Sequence, residues 1–241
     1  MGVDAEWEPE AENWVRWARA PGFDAYWFFQ DGFFDSIVPS AGRRTLEIGC
    51  GEGRVARDLA ARGHSVVAVD TATTLVRHAN EEGRAGTYGV AEGAALPFAS
   101  NTFDVVVAYN VLQVVLDMAG TVREAARVLV PGGVFCACVA HPVTDLGRFT
   151  EDGEGSPRLT VRDGYFETRR VEERVEVDGL AMTFRGWTYS IEHYSRALED
   201  AGLRIEAIRE PRPVRGPERY ERWKRVPLFL NVRAVKPDAN R

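Results

Sequence analysis

The sequence is poor in cysteine and has no long apolar run. Its three cysteines, Cys50, Cys136 and Cys138, are an odd number and form no Cys/His cluster with zinc-ligand spacing. A disulfide scaffold is therefore excluded, and no metal site is expected. No stretch reaches the roughly 20 apolar residues that cross a bilayer, and the acidic first residues lack the apolar core of a secretory signal. We expect a cytoplasmic protein with reduced thiols and no membrane partner.

An excess of positive charge is also missing. The 241 residues carry a net charge of −6, so a globally basic nucleic-acid binder is not expected. Hydrophobic residues make up 45% and charged residues 27%, which is typical of a folded globular protein. A chain of this length can bury a large core without disulfides or metals.

The segment 44–141 alternates strand and helix patterns. Strands are predicted at Arg44–Gly49, Ser65–Asp70, Thr87–Ala91, Phe103–Tyr109 and Val134–His141. Helices are predicted at Val55–Arg62, Thr71–Glu82 and Met118–Val130. The second strand, Ser65–Asp70, is too apolar to have a solvent-exposed face, as in buried parallel sheets. Strands separated by helices of this length predict βαβ units and a parallel sheet.

The flanking segments have different patterns. Residues 1–40 are crowded with aromatics, which predicts a helical cap folded onto the core or a ligand. Residues 142–187 are polar and glycine-containing, with alternation that predicts one or two hairpins. Residues 188–241 contain a helix at Ile191–Ala201 and strands at Leu203–Ile208 and Val226–Val235. We interpret 1–241 as a single domain in which 41–141 is the core and 142–187 is an insertion.

The sharpest motif lies between the first strand and the first helix, and reads Glu47-Ile48-Gly49-Cys50-Gly51-Glu52-Gly53. Glycine at every second position allows a tight turn close to a ligand. The helix behind it offers unpaired N–H groups and a positive dipole end. A dinucleotide-binding loop would need a third glycine at position 54, which is Arg54. Asp70 ends the second strand, where a carboxylate can accept hydrogen bonds from a ribose diol.

Together with four further segments, this motif resembles the class I S-adenosylmethionine (SAM) dependent methyltransferases, in particular bacterial enzymes that methylate small molecules. The matching positions are Asp70, Ala91-Glu92-Gly93-Ala94-Ala95-Leu96-Pro97-Phe98, Phe103-Asp104-Val105-Val106-Val107 and Glu124-Ala125-Ala126-Arg127-Val128-Leu129-Val130-Pro131-Gly132-Gly133. The resemblance is strong over 44–141 and looser afterwards. It implies an α/β Rossmann-like fold with helices on both faces of a seven-stranded, mostly parallel sheet whose last strand is antiparallel.

The resemblance also implies roles for individual residues. Contacts with SAM, or with its product S-adenosylhomocysteine (SAH), are expected from Glu47, Gly49, Cys50, Gly51, Gly53, Asp70, Thr71, Leu75, Ala91, Glu92, Asn110 and Tyr26. The glycines would line the methionine moiety, with Glu47 near its amino end and Asp70 on the ribose. Glu92 stands where the family usually has Asp on the adenine amine.

Substrate contacts are expected from Trp27, Tyr109, Gln113, His141 and His193. His141 is the candidate general base, because it ends the fifth strand at the ligand edge. The sulfonium is already an activated leaving group, so the reaction is an in-line displacement by an O, N or C nucleophile of a small metabolite.

Three other functions stay open at this point. An RNA or DNA methyltransferase is disfavoured because Tyr109-Asn110-Val111-Leu112 is not an adenine-methylating loop. A NAD-dependent oxidoreductase is disfavoured by Arg54 at the third glycine position. A SAM-binding protein without catalysis would carry the same motif. We expect a small-molecule substrate, no nucleic acid, and a monomer or homodimer.

Overall fold

The computed structural model describes residues 7–40, 42–83, 85–151, 157–214 and 218–238. Its helices are α1 (Ala11–Arg19), α2 (Tyr26–Ser36), α3 (Arg54–Ala61), α4 (Thr73–Glu81), α5 (Met118–Val128) and α6 (Ile191–Asp200). Short 3-10 helices lie at Glu8–Glu10, Pro142–Leu146 and Glu218–Lys224. No helix within these ranges is long and apolar enough to cross a membrane.

Seven strands form the main sheet. They are β1 (Arg44–Ile48), β2 (Ser65–Asp70), β3 (Thr87–Val90), β4 (Phe103–Tyr109), β5 (Leu129–Ala140), β10 (Arg204–Arg209) and β11 (Phe229–Val235). The spatial order is β3-β2-β1-β4-β5-β11-β10. β11 runs antiparallel to both β5 and β10, and the other pairings are parallel. The predicted seven-stranded sheet with an antiparallel last strand is confirmed.

The sheet is covered on both faces. Alternate residues of β4 point in opposite directions. Val106 and Ala108 join an apolar cluster with residues of α5 and α6, whereas Val105 and Val107 join one with residues of α2 and α3. All four are fully buried. This explains why the β4 sequence is continuously apolar rather than alternating.

The N-terminal helices pack in two places. On α2, Phe29 and Phe33 are buried in the same cluster as the α3 face of the sheet. On α1, Ala11 and Val15 pack against residues of α4 and the loop before it. The aromatic segment therefore folds onto the core, as its composition predicts.

The segment after β5 contributes two antiparallel hairpins. β6 (Gly147–Glu151) pairs with β7 (Pro157–Val161), and β8 (Arg170–Val177) pairs with β9 (Leu180–Trp187). Trp187 donates its backbone N–H to the carbonyl of Gln113 at 2.7 Å, which ties the second hairpin to the loop after β4. Hairpin structure in this segment agrees with the sequence prediction.

Several element boundaries differ from the prediction by one or more residues, and two of the differences have a clear physical cause. Helix α5 ends at Val128, two residues early, because Leu129 is extended and pairs with Phe103 as the first residue of β5. The last strand begins at Phe229 instead of Val226. Pro227, which has no N–H to donate to a ladder, lies before it.

Candidate functional site

A cavity of about 1000 Å³ opens at the carboxyl ends of β1, β2 and β4. It is bounded by the glycine loop after β1, by the turn after β5 and by both hairpins. Open α/β sheets bind their ligands at this edge. The volume is at the upper end of the range for small-molecule pockets, and is therefore large enough for two ligands of moderate size.

The glycine loop is held close to its neighbours. Gly49 and Gly51 have φ of 70° and 55°, in the left-handed region that favours glycine. The N–H of Gly49 donates to the carbonyl of Val69 at 2.7 Å. A Cβ atom on Gly49 would lie 2.4 Å from the side chain of Val111, and one on Gly51 would lie 3.0 Å from Nε1 of Trp14. Gly49 therefore requires glycine for conformation and for space, and Gly51 requires it for conformation.

Asp70 holds the loop and faces the cavity. One carboxylate oxygen accepts a hydrogen bond from the N–H of Gly51 at 2.8 Å, and the other accepts from the N–H of Ala72 at 3.0 Å. Each carboxylate oxygen has two acceptor positions. Since Asp70 also lines the cavity, its oxygens can accept a further pair of hydrogen bonds from a diol.

Glu47 is a buried carboxyl group without a full set of partners. Its side chain is 1% exposed and lines the cavity, and Oε2 has no hydrogen-bond partner within the described structure. Burial raises the pKa of Glu47 well above its usual value, and the nearby charges of Asp70 and Glu52 add to the effect. A cation or an N–H donor in the cavity would relieve this unfavourable state.

Arg54 is the buried cation of the same cavity. It is 8% exposed, and its Nη2 lies 3.2 Å from a carboxylate oxygen of Asp24. Its guanidinium packs on the rings of Trp14 and Tyr26, at 5.0 and 4.4 Å from their centroids. Nη1 has no hydrogen-bond partner among the described residues. Sequence reasoning missed this residue, because it treated position 54 only as a missing glycine.

Most of the sequence-predicted site residues come together around the cavity. Those that line it are Glu47, Gly49, Cys50, Gly51, Asp70, Thr71, Leu75, Ala91, Glu92, Tyr109, Asn110 and Gln113. They come from the carboxyl ends of neighbouring strands and the segments that follow them. Their predicted contacts with SAM and substrate stay predictions.

Three predicted residues of the glycine loop and α2 lie outside this lining. Gly53 faces α4 and β3, since a Cβ there would lie 3.0 Å from Ala79 and 3.2 Å from Tyr88. The hydroxyl of Tyr26 donates to Asp58, beneath the guanidinium of Arg54. Trp27 is 43% exposed and donates to the carbonyl of Ala18 at 3.2 Å. Trp14 lines the cavity from the N-terminal segment instead.

The two histidines predicted at the site also lie outside the lining. Nδ1 of His141 accepts from the N–H of Val143 at 3.1 Å, and Nε2 lies 3.0 Å from a carboxylate oxygen of Glu210. Burial lowers the pKa of His141, with Glu210 opposing that effect. His193 forms a capping box with Ser190 at the start of α6. In this structure both side chains have local structural partners.

Asp145 is a cavity-lining acid that sequence reasoning missed. It lies in the turn Pro142–Leu146, directly after β5, and its backbone carbonyl accepts from Nη2 of Arg169 at 2.5 Å. Burial raises the pKa of Asp145 to about 6, while Arg169 lowers it and Glu173 raises it. The turn has no periodicity, so nothing in the local sequence indicates which polar residue faces inward.

The two sides of the cavity differ in charge. The glycine-loop side carries the carboxylates of Glu47, Glu52 and Asp70, and Glu52 is ion-paired with Arg57 at 2.7 Å. The hairpin side is rich in arginines, namely Arg148, Arg162, Arg169, Arg170 and Arg185. Glu47 and Asp70 therefore favour a cationic or hydrogen-bond-donating ligand group beside the glycine loop, next to the cation of Arg54.

The fold and the site define an α/β protein with a ligand-sized cavity over a glycine loop and an acid at the end of β2. The family described as "Methyltransferase domain" matches residues 46–137. Over 184 residues, the chain is 30% identical to the 27-O-demethylrifamycin SV methyltransferase of Amycolatopsis mediterranei, covering 69% of this chain and 68% of that protein.

A second relative matches the core alone. Identity to the ubiquinone biosynthesis O-methyltransferase of Methylocella silvestris is 40% over 107 residues, or 43% of this chain and 42% of that protein. The chain thus matches less than half the length of that relative. The fold also matches the crystal structure of a SAM-dependent methyltransferase from Mesorhizobium loti, with a TM-score of 0.65, 22% identity and coverage of 97% and 100% of the two chains.

The chain belongs to the family of SAM-dependent methyltransferases. The resemblance found in the sequence is thereby confirmed, as is the Rossmann-like fold that it implies. The cofactor of this family is SAM.

Proposed function

We propose that the protein transfers a methyl group from SAM to an oxygen atom of a small-molecule acceptor. The observation that carries this proposal is the pairing of Glu47 and Asp70 in one cavity. Glu47 is a buried carboxyl with an unpartnered oxygen, which fits an ammonium group. Asp70 presents oxygens that fit a ribose diol. SAM carries both groups, at the two ends of its nucleoside–amino acid frame.

The remaining cofactor contacts follow from the order of the lining residues. Leu75 lies on α4, and Ala91 and Glu92 directly follow β3. These three lining residues are proposed to hold the adenine. Gly49 and Gly51 are proposed to lie along the methionine chain, and Asn110 beside the sulfonium. When bound, SAM supplies a methyl group on an already activated leaving group.

The chain's own residues then align the acceptor, exclude water and remove a proton. We propose that Asp145 accepts the proton of the acceptor hydroxyl as the oxygen attacks. A carboxylate with a pKa of about 6 is ionised at neutral pH and still basic enough to share that proton. Asp145 follows β5, and β5 lies beside β4, which ends at Asn110. The acid and the sulfonium site are therefore on neighbouring strands.

The acceptor class is proposed from the cavity and from the relatives. The cavity lining includes the aromatic residues Tyr109, Phe149, Trp223 and Phe229, which suit a flat, partly apolar molecule. Two relatives are named for O-methylation or for a demethylated oxygen of a small molecule. We propose that residues 142–187 cover the acceptor within the single domain, as a lid.

A direct test is SAH release from SAM with a panel of phenols and catechols, with tRNA as a separate arm. We expect turnover with at least one hydroxylated aromatic and none with tRNA. Asp145→Asn should lower kcat at least tenfold without changing SAM affinity. Methylation of tRNA alone would favour the RNA methyltransferase alternative. SAM binding without turnover on any acceptor would favour a non-catalytic binding protein.

A further inference from the structure

We infer that Arg54 is the receptor for the carboxylate of the cofactor's amino-acid tail, and that it selects ligands that carry this carboxylate. The inference rests on the proposed function, since it concerns the same cavity. Position 54 is the first residue of α3, directly after the glycine loop. It is the position at which a dinucleotide-binding loop would have its third glycine.

The first argument is an unfulfilled hydrogen-bond donor. Arg54 is 8% exposed, lines the cavity, and has no hydrogen-bond partner for Nη1 within the described residues. A buried hydrogen-bond donor that lacks a partner is costly unless a ligand supplies one. A guanidinium matches a carboxylate in geometry and charge.

The second argument is the neighbouring opposite charge. Glu47 lines the same cavity, also has an unpartnered atom, and lies close enough that the charge of Arg54 lowers its pKa against the effect of burial. One unpartnered acceptor and one unpartnered donor are complementary to an α-amino acid, whose ammonium and carboxylate share one carbon atom. Neither adenine nor ribose offers that pair of charges.

The third argument is that Arg54 is held in place. Asp24 pairs with its Nη2 and also accepts the N–H of Tyr26 at 2.7 Å, at the start of α2. The rings of Trp14 and Tyr26 pack on the guanidinium. These contacts fix the plane of the guanidinium and leave Nη1 available. The N-terminal segment is thus a positioning device for the cofactor tail.

The test is calorimetric binding of three ligands. SAH has the whole tail, S-adenosyl-3-thiopropylamine lacks only the carboxylate, and 5′-methylthioadenosine lacks the amino acid. Wild-type protein is compared with Arg54→Gln and with Arg62→Gln. Arg62 is a matched control, because it stacks on Phe34 at 4.1 Å and faces Asp58 at 4.0 Å, outside the cavity lining.

We expect Arg54→Gln to weaken SAH binding by about 10- to 100-fold, the range for a hydrogen bond to a charged group. Binding of 5′-methylthioadenosine should change less than threefold, and Arg62→Gln should change neither. Equal weakening of both ligands, or of neither, would overturn the inference. If Arg54→Gln does not fold, the comparison of ligands on the wild-type protein is the test. The inference then requires S-adenosyl-3-thiopropylamine to bind at least tenfold more weakly than SAH.

Failure of the proposed function gives a different pattern. If the cavity is not a SAM site, the wild type will bind neither SAH nor 5′-methylthioadenosine. If only the Arg54 inference fails, SAH will bind and the loss of its carboxylate will have no effect.

Discussion

Asp70 and Gly51 are joined by a hydrogen bond of 2.8 Å, from the N–H of the glycine loop to a carboxylate oxygen at the end of β2. The second oxygen of Asp70 accepts from the N–H of Ala72 at 3.0 Å. One side chain thus fixes both the loop after β1 and the turn after β2. Because Asp70 also lines the cavity, loop geometry and ligand binding depend on the same carboxylate.

The close packing of this loop predicts a large effect of a single methyl group. Gly49→Ala should lower the free energy of unfolding by about 3 kcal/mol, from left-handed strain and from a clash with Val111. Gly202→Ala is the matched control, with φ of 74° and no heavy atom within 4 Å, and should lose only about 1 kcal/mol. Urea unfolding measures both. Equal losses would contradict the packing described for Gly49.

Glu47 is predicted to lower the stability of the unliganded protein and to strengthen the binding of SAH. Because its pKa is raised in the folded protein, stability falls as pH rises above the unfolded value of about 4.5, where the unfolded carboxyl ionises and the folded one keeps its proton. Glu47→Gln should therefore be at least as stable as wild type at pH 5 and more stable at pH 8. The same variant should bind SAH at least tenfold more weakly, because it loses the partner of the ammonium. Thermal unfolding and calorimetry test the two effects.

Glu124→Gln is the control with the opposite sign. Arg127 holds the pKa of Glu124 below its usual value, so Glu124 stabilises the protein above about pH 4.5 and loses that effect as pH falls. Its replacement should lower stability at pH 8, with SAH affinity unchanged. If both variants shift stability in the same direction, the electrostatic account of Glu47 is contradicted.

Asp145 should give stability the same direction of pH dependence as Glu47. The pKa of about 6 lies above that of an unfolded aspartate, so stability declines between about pH 4 and pH 6, where the unfolded carboxyl is ionised and the folded one still holds its proton. Asp145→Asn removes this decline and should raise the free energy of unfolding at pH 8 by about 1 to 2 kcal/mol. Chemical denaturation at pH 4.5 and pH 8 would reveal it. If wild type and Asp145→Asn show the same difference in the free energy of unfolding between the two pH values, the raised pKa of Asp145 is contradicted.

Comparing the pH dependence of kcat in Asp145→Asn and His141→Ala shows which of the two residues accepts the proton. Asp145 faces the cavity, whereas His141 lies 3.0 Å from Glu210 and outside the lining. We expect wild-type kcat to fall below about pH 6, and Asp145→Asn to lose most of kcat and this acidic limb. His141→Ala should keep the profile and lose stability. Loss of the limb in His141→Ala alone would restore the histidine as the base.

The core was predictable because its signals are local. β4 was predicted with both ends correct, since a buried parallel strand is continuously apolar. The glycine loop and Asp70 follow the ends of strands, and parallel strands bring their carboxyl ends to one edge. The apolar pattern of buried strands and the shared edge of their carboxyl ends together predict most of the residues on the cofactor side of the cavity. Neither rule requires knowledge of long-range contacts.

The remaining site residues depend on contacts between distant segments. The ion pair of Arg54 with Asp24 joins α3 to the turn before α2, and no spacing in the sequence indicates it. Tyr26 was expected at the cofactor but packs beneath Arg54. Trp14, and not Tyr26, lines the cavity. Asp145 lies in a non-repetitive turn whose backbone carbonyl is held by Arg169, the residue before β8.

The most direct test of the central claim is titration of the purified protein with SAH, in parallel with Asp70→Ala and Asp104→Ala. Asp104 is the matched control, because it lies near the start of β4, where it pairs with Arg44 away from the cavity. We predict micromolar binding by wild type and Asp104→Ala, and at least 50-fold weaker binding by Asp70→Ala. No binding of SAH by wild type, together with binding of NAD, would contradict the assignment of the cavity to SAM.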